Sequence, residues 1–479
     1  MDKTYLISQS TSISLVIIIS LIFTLLGLYH SKKFQGINNY LTANRNIGLF
    51  PLITSLVASA LGAWILFGPV AAATWGGIGA VIGYALGTAF PMIFLIYLGK
   101  KIRKEFPQGS SLIEFMRKKF GKSLFKLILL MTIFYMFIFL CAEVTAVAIL
   151  INFISGTELW ITALIVLLAT LTYTLYGGLR ASIFTDNIQM IVIIILLIIS
   201  TAYIFSFTGS EFSFEFVQEK NPQLLSASYI PSYTAGLTFF IAVAATNLFH
   251  QGNWQRVYAA KDYQTLKKSL IFSFFIIIPI VLFMGFTGMV SFSIDSTNRP
   301  DLGFFTLLLK EQTEILSLIV VTLGLALTIS TVDTLVNAIS SLFIVDGKAT
   351  FNFDKKTDYL KLSKYFIIFL SLIAFIVASK GFDILYLFLL ADLFCCAFVF
   401  TVFYSFYNKG INEKTAYISI LVGLLGGFLM FPFPDFSKSL LVGILTPKEM
   451  FSPFVVQSLL FLSFIVATFL PAIILKIKR

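Results

Sequence analysis

The chain has 479 residues, 58% of them hydrophobic and only 12% charged, with a formal net charge of +11. Apolar runs of roughly twenty residues, enough to cross a bilayer as helices, recur along the whole length. This composition specifies an all-α polytopic membrane protein, and it excludes the reading that a basic balance would invite in a soluble chain, a nucleic-acid partner.

In chain order the apolar cores fall near 11–29, 47–74, 78–99, 124–154, 158–177, 182–208, 234–250, 268–293, 315–346, 363–379, 382–406, 413–434 and 452–475, about thirteen transmembrane helices in one domain, 1–479. The first lacks a basic leader and an A-x-A cleavage site and is expected to be retained. Between the third and fourth, Lys100, Lys101, Arg103 and Lys104 precede Arg117, Lys118, Lys119 and Lys122. With the N-terminus outside and the C-terminus in the cytoplasm, this cluster and most of the 34 Lys and Arg face inward, as the positive-inside asymmetry requires of a plasma (inner) membrane protein. The longest connections, around 209–232, 294–312, 347–362 and 435–451, are too short for an enzyme domain, so no catalytic residues are expected.

Two spans read as broken. L-V-A-S-A-L-G-A-W-I-L-F-G-P at 56–69 sets Gly62 and Gly68 beside Pro69, and Asn247, His250, Gln251, Gly252 and Asn253 interrupt the seventh apolar run. Gly and Pro in membrane helices also serve packing. Here five spans separate the breaks, which fits two inverted five-helix repeats, 47–208 and 234–406, flanked by a peripheral first span at 11–29 and two peripheral C-terminal spans at 413–475.

The stretch L-T-I-S-T-V-D-T-L-V-N-A-I-S-S-L-F-I-V-D at 327–346 seeds an apolar span with hydroxyls and a carboxylate. Such groups either bond their own helix and its neighbours or face a cavity or an ion. Ser330, Thr331, Asp333 and Thr334 crowd into five residues, and an adjacent hydroxyl pair near backbone oxygens suits a hard cation such as sodium. Cys141, Cys395 and Cys396 lie in apolar spans, and His30 and His250 are far apart, so neither a disulfide framework nor a zinc site is expected.

Three ordered motifs carry a resemblance. Y-G-G-L-R-A-S-I-F-T-D-N-I-Q at 176–189, H-Q-G-N-W-Q-R-V-Y-A-A-K at 250–261 and S-T-V-D-T-L-V-N-A-I-S-S-L-F-I-V-D at 330–346 are similar to motifs of the sodium:solute symporters. The sugar, proline, sialic acid and urea branches of that family share a leucine-transporter-type fold, a 5+5 inverted repeat with two broken helices. The resemblance covers nearly the whole chain. It implies a sodium site formed by backbone oxygens of Ala58, Leu61 and Leu327 and hydroxyls of Ser330 and Thr331, with Asp186 serving a second cation or the gating. As a helix N-terminal acid, Asp186 has a plainer reading too.

The resemblance also points to Ser59, Trp64, Ile65, His250 and Gln251 as the solute site. His250 and Asn253 stand where the sugar branch has an asparagine and a gating tyrosine, a departure that argues against a sugar. Glu143 and Asp392 are mid-span acids with no basic residue expected in a neighbouring span, so each takes up a proton or meets a cation. With them the site favours an amine or a solute rich in hydrogen-bond donors.

The expected function is sodium-coupled import of a small polar solute by alternating access. Sodium is the coupling ion, no organic cofactor is needed, and no obligate protein partner is evident. A proton-coupled carrier of the same fold would titrate Asp186, Glu143 or Asp392. A sensor would need a signalling domain beyond the last span, for which the sequence leaves no room, and a channel would need a filter loop that nothing here resembles. The charge asymmetry predicts that an impermeant thiol reagent on intact cells labels Ser210→Cys and spares Lys104→Cys; labelling of Lys104→Cys alone contradicts this orientation.

Overall fold

The computed structural model describes residues 5–296, 299–310, 313–350, 358–408, 410–445, 447 and 452–477. Parts of the connections at 294–312, 347–362 and 435–451, and the last two residues of the terminal K-I-K-R, lie outside the described residues. Eleven described helices are long and apolar enough to cross a membrane. The first, α1 (Gln9–Lys33), is followed by a short apolar helix, α2 (Leu49–Ala60), and by α3 (Gly68–Glu105). Then come α4 (Lys122–Ser155), α5 (Leu159–Thr208), α6 (Ile230–Phe249) and α7 (Gln251–Ala259). The remainder are α8 (Tyr263–Ile294), α9 (Glu314–Leu342), α10 (Tyr359–Ala378), α11 (Ile384–Ser405), α12 (Glu413–Met430) and α13 (Pro453–Ile477).

Two of the eleven are double. The 38-residue α3 turns at Gly77, with φ 53° and ψ −150°, and the 50-residue α5 turns at Gly178, with φ 58° and ψ −150°. Both backbones lie where a side chain is strained. Space forbids one as well, since a Cβ would stand 2.2 Å from the Leu224 carbonyl oxygen at Gly77 and 2.5 Å from the Tyr40 ring at Gly178. Dividing these two helices, with α2 and the start of α3 forming the second span and α6 and α7 the seventh, gives the thirteen passes expected.

The broken helices lie at the centre of the bundle. The chain leaves helical geometry at Leu61 (φ −107°, ψ 79°), crosses Gly62 in extended form, and re-enters through a 3₁₀ turn, Ala63–Leu66, before Pro69 starts α3. In the seventh span only His250 (φ −59°, ψ 107°) interrupts the path. A glycine row on α3 draws the third span against α6, as small residues at four-residue spacing permit. A Cβ on Gly79 would come 2.1 Å from the Ser232 carbonyl oxygen, and one on Gly83 2.0 Å from that of Gly236. The sequence core at 234–250 ends the seventh span too early. α7 continues it to Ala259 and is buried throughout, which brings Arg256 inside the protein.

Candidate functional site

Each break frees backbone groups that a membrane cannot hydrate. At the second span these are amides. Oε2 of Glu143, on α4, accepts from Ala63 N–H at 2.9 Å, and Oε1 lies 3.4 Å from Trp64 N. At the seventh span they are carbonyls. Asn253 Nδ2 donates to the Asn247 oxygen at 3.0 Å and Trp254 Nε1 to that of Leu248 at 2.7 Å. The side chains that disturb the apolar pattern thus repair the helix they interrupt.

A polar network joins four elements below the break. Arg256 Nη2 donates to Asp186 Oδ2 at 2.7 Å and to Thr334 Oγ1 at 3.0 Å, its Nε donates to Ser55 Oγ at 2.7 Å, and its Nη1 donates to the Gly252 carbonyl at 3.0 Å. Ser55 and Ser330 each donate to Asp186 at 2.6 Å. Both ionic side chains are fully buried, and among the described residues this is the one buried ion pair. Beside it Asp333 accepts from Tyr173 at 2.5 Å, Ser182 at 2.7 Å and Thr185 at 3.1 Å. Asp186 therefore meets a cation, and that cation is a guanidinium of the same chain. The signal was Arg256 itself, since an arginine carried inward by a broken span needs an acid.

The other expected sodium residues converge at the end of α2 and the middle of α9. Ala58, Leu61, Leu327 and Ser330 are fully buried and Thr331 nearly so. The chain leaves its helix at Leu61, so no described amide bonds the Ala58 or Leu61 carbonyl, and both oxygens remain available. Ser330 spends its proton on Asp186, which leaves its lone pairs as acceptors. Thr331 donates to the Leu327 carbonyl at 3.2 Å.

Between the two breaks lies a cavity of about 30 Å³, lined by Ser59, Trp64, Thr246, His250, Thr331 and Asp392 together with Tyr84, Phe139, Val243, Asn247 and Phe388. Thr246 donates to Asp392 at 2.6 Å, and His250 Nδ1 has no hydrogen-bond partner. No lysine or arginine lines this space. Three expected solute residues do not line it. Ile65 is fully buried in the packing, Gln251 Nε2 donates to the Ser110 carbonyl at 2.9 Å, and Glu143 turns to the helix break. Tyr84, Phe139 and Phe388 were not anticipated, because an aromatic in an apolar span carries no polar signal. Trp64 stacks on Tyr84 with centroids 5.6 Å apart, and Phe139 meets Phe388 edge-on at 4.9 Å.

Thirteen passes, two broken helices and a small polar cavity between them define a multi-pass membrane transporter. The sequence profile described as the sodium:solute symporter family matches residues 40–423, and the chain belongs to that family. The spermidine transporter DUR31 of Candida albicans is 26% identical over 407 residues, 83% of this chain and 76% of that protein. The sodium/glucose cotransporter 1 of Ovis aries is 28% identical over 217 residues, 43% of this chain but only 32% of its own length. A Na⁺-coupled sialic acid symporter in a substrate-bound outward-open state has a similar fold, with a TM-score of 0.69 at 18% identity, covering 96% of this chain and 98% of that one. Mhp1, a nucleobase-cation-symport-1 family transporter, aligns with a TM-score of 0.54 at 14% identity, covering 92% and 96%.

Removing one partner of a buried pair strands the other, at a cost of about 3–5 kcal/mol. Arg256→Met should therefore lower the melting temperature of the purified protein sharply. Arg256→Met/Asp186→Asn should recover much of the loss. A double variant no more stable than the single one contradicts a direct pairing.

Proposed function

We propose that the protein is a sodium-coupled symporter that takes up an amine-bearing solute by alternating access. The observation that carries the solute class is the central cavity, where the Asp392 carboxylate faces a space walled by Trp64, Tyr84, Phe139 and Phe388. Aromatic faces attract ammonium groups, and a desolvated carboxylate in a span calls for a cation. The likeness to a fungal protein named as a spermidine transporter supports the same class. His250 completes the set, its free ring nitrogen offering a donor or an acceptor.

Sodium is assigned to the oxygens of Ala58, Leu61, Leu327, Ser330 and Thr331, with Asp186 acting through Ser330. These oxygens bridge the end of α2 and the middle of α9, so an ion there ties the two together and its departure frees them. One charge crossing ~100 mV gives ~2.3 kcal/mol, and a tenfold sodium gradient adds ~1.4 kcal/mol. Together they support accumulation of a neutral solute by a few hundredfold, and a protonated amine, carrying its own charge across the same potential, gains a further ~2.3 kcal/mol.

A space of about 30 Å³ holds roughly one water, so solute enters only when the broken helices move apart. A cavity of about 570 Å³ lined by Trp75, Asp301, Asp383 and Phe436 lies on the side assigned to the exterior. Rings of Trp75, Phe239, Tyr84 and Trp64 run from there to the centre at steps of 5.7, 4.5 and 5.6 Å. On the opposite side Arg103 donates to the Val257 and Ala260 carbonyls and Arg45 to that of Gly109, bonds that tie the inner ends of these segments together.

The test is uptake of labelled monoamines, polyamines, sugars, carboxylates and urea into proteoliposomes, with and without a sodium gradient. Sodium-dependent amine uptake is expected, with Asp392→Asn raising the amine KM at least about tenfold as the charge is lost. Uptake of a sugar or a carboxylate in place of amines contradicts the solute class, and sodium-independent uptake with an acid optimum contradicts the coupling ion. Ser330→Ala and Thr331→Ala each remove one oxygen ligand and should raise the sodium concentration for half-maximal uptake several-fold while the protein still folds. Wild-type sodium activation in both contradicts the assignment of this pair.

A further inference from the structure

Glu143 is fully buried on α4 and is not among the residues that line the central cavity, so the pairing of this acid with the solute does not follow from its position. Two amides approach it. Ala63 N–H at 2.9 Å satisfies Oε2, while the 3.4 Å contact from Trp64 leaves Oε1 nearly unengaged. An ionised carboxylate has about four acceptor positions, and a buried one with two of them empty and no cation nearby is costly. No ion pair to Glu143 exists among the described residues, and the buried Arg256 is committed to Asp186.

The direction of Oε1 is informative. A Cβ placed on Gly62 would stand 2.3 Å from Glu143 Oε1 and 2.8 Å from Thr331 Oγ1, so these two oxygens lie within about 5 Å of each other across the glycine. Two oxygens no farther apart than that can both reach one small cation, whose oxygen contacts run to roughly 2.5 Å each. Gly62 follows Leu61, whose carbonyl is released at the same break, and Thr331 belongs to the hydroxyl pair on α9. The carboxylate, the hydroxyl and the freed carbonyl therefore belong to one small volume on the α4, α2 and α9 faces.

We propose that Glu143 is the anionic arm of the sodium site, a carboxylate that neutralises the ion held by Leu61, Thr331 and their neighbours. The inference rests on the sodium site proposed above and adds to it a charged group from a third helix. Carbonyls and hydroxyls alone give a sodium ion no formal counter-charge, and Asp186 cannot give one while it holds Arg256. Glu143 can. When sodium is absent, the carboxylate holds the first amides of the re-entering helix, so ion binding and the geometry of the break become linked through a single side chain.

The experiment compares wild type with Glu143→Gln, Glu143→Asp, Ser330→Ala and Thr331→Ala. Two readouts are used: the sodium dependence of uptake at saturating amine, and the rise in melting temperature of the purified protein when sodium replaces choline without solute. Glu143→Gln keeps an acceptor for the Ala63 amide. It should raise the half-maximal sodium concentration at least about tenfold and abolish most of the sodium-dependent melting shift, with the amine KM at saturating sodium unchanged. Glu143→Asp, still charged, should recover part of both. If the two hydroxyl variants weaken sodium and Glu143→Gln does not, Glu143 is no part of the site although the site stands. If Glu143→Gln instead raises only the amine KM, the carboxylate serves the solute and the proposal is overturned. Unchanged sodium response in all four variants removes the sodium site and this proposal together.

Discussion

The buried contact between Arg256 and Asp186 sets the terms for everything around it. A guanidinium cannot rest inside an apolar bundle without a carboxylate, and this one also engages Ser55, Thr334 and the Gly252 carbonyl, so α2, α5, α7 and α9 are held at one point. Because Arg256 neutralises Asp186, neither Glu143, at the break of the second span, nor Asp392, at the cavity beside it, has a basic partner among the described residues. On the proposed reading, these two carboxylates match two cationic cargoes, sodium and an amine.

The two broken helices solve opposite problems. Unwinding after Ala60 exposes amides on the re-entering side and carbonyls on the departing side. The amides are taken by an acid from α4, and the carbonyls of Ala58 and Leu61 accept no described amide. Unwinding at His250 exposes carbonyls that Asn253 and Trp254 fill, leaving the imidazole itself turned to the cavity. Each break therefore leaves unspent polar groups, two carbonyls at the second span and the His250 ring nitrogen at the seventh. The proposed cargo sites thus fall where the backbone is least self-sufficient.

Hydropathy made the passes legible, because twenty apolar residues between charged turns leave few alternatives, and the broken second span was visible in Gly62, Gly68 and Pro69. The apolar core of the seventh span, 234–250, stops short of α7, since Q-G-N-W-Q-R was legible as a polar interruption of the span but carries too few apolar residues to extend a hydropathy run. The same omission hid Arg256, and with it the reason that Asp186 is satisfied. Ser59, Trp64, His250 and Asp392 do meet at the cavity. Ile65, Glu143 and Gln251 do not, for which side of a helix faces which neighbour depends on how the bundle closes. The aromatic wall was silent for a simpler reason: with 53 phenylalanines in the chain, no single ring stands out.

The balance of cargo charges is tested most directly by measuring isotopic sodium and labelled amine entry together in proteoliposomes holding the wild-type protein. The account predicts that external amine accelerates sodium entry, that external sodium accelerates amine entry, and that the two cross in a fixed ratio at every amine concentration. Sodium entry indifferent to amine, or amine entry unaccompanied by sodium, would contradict it.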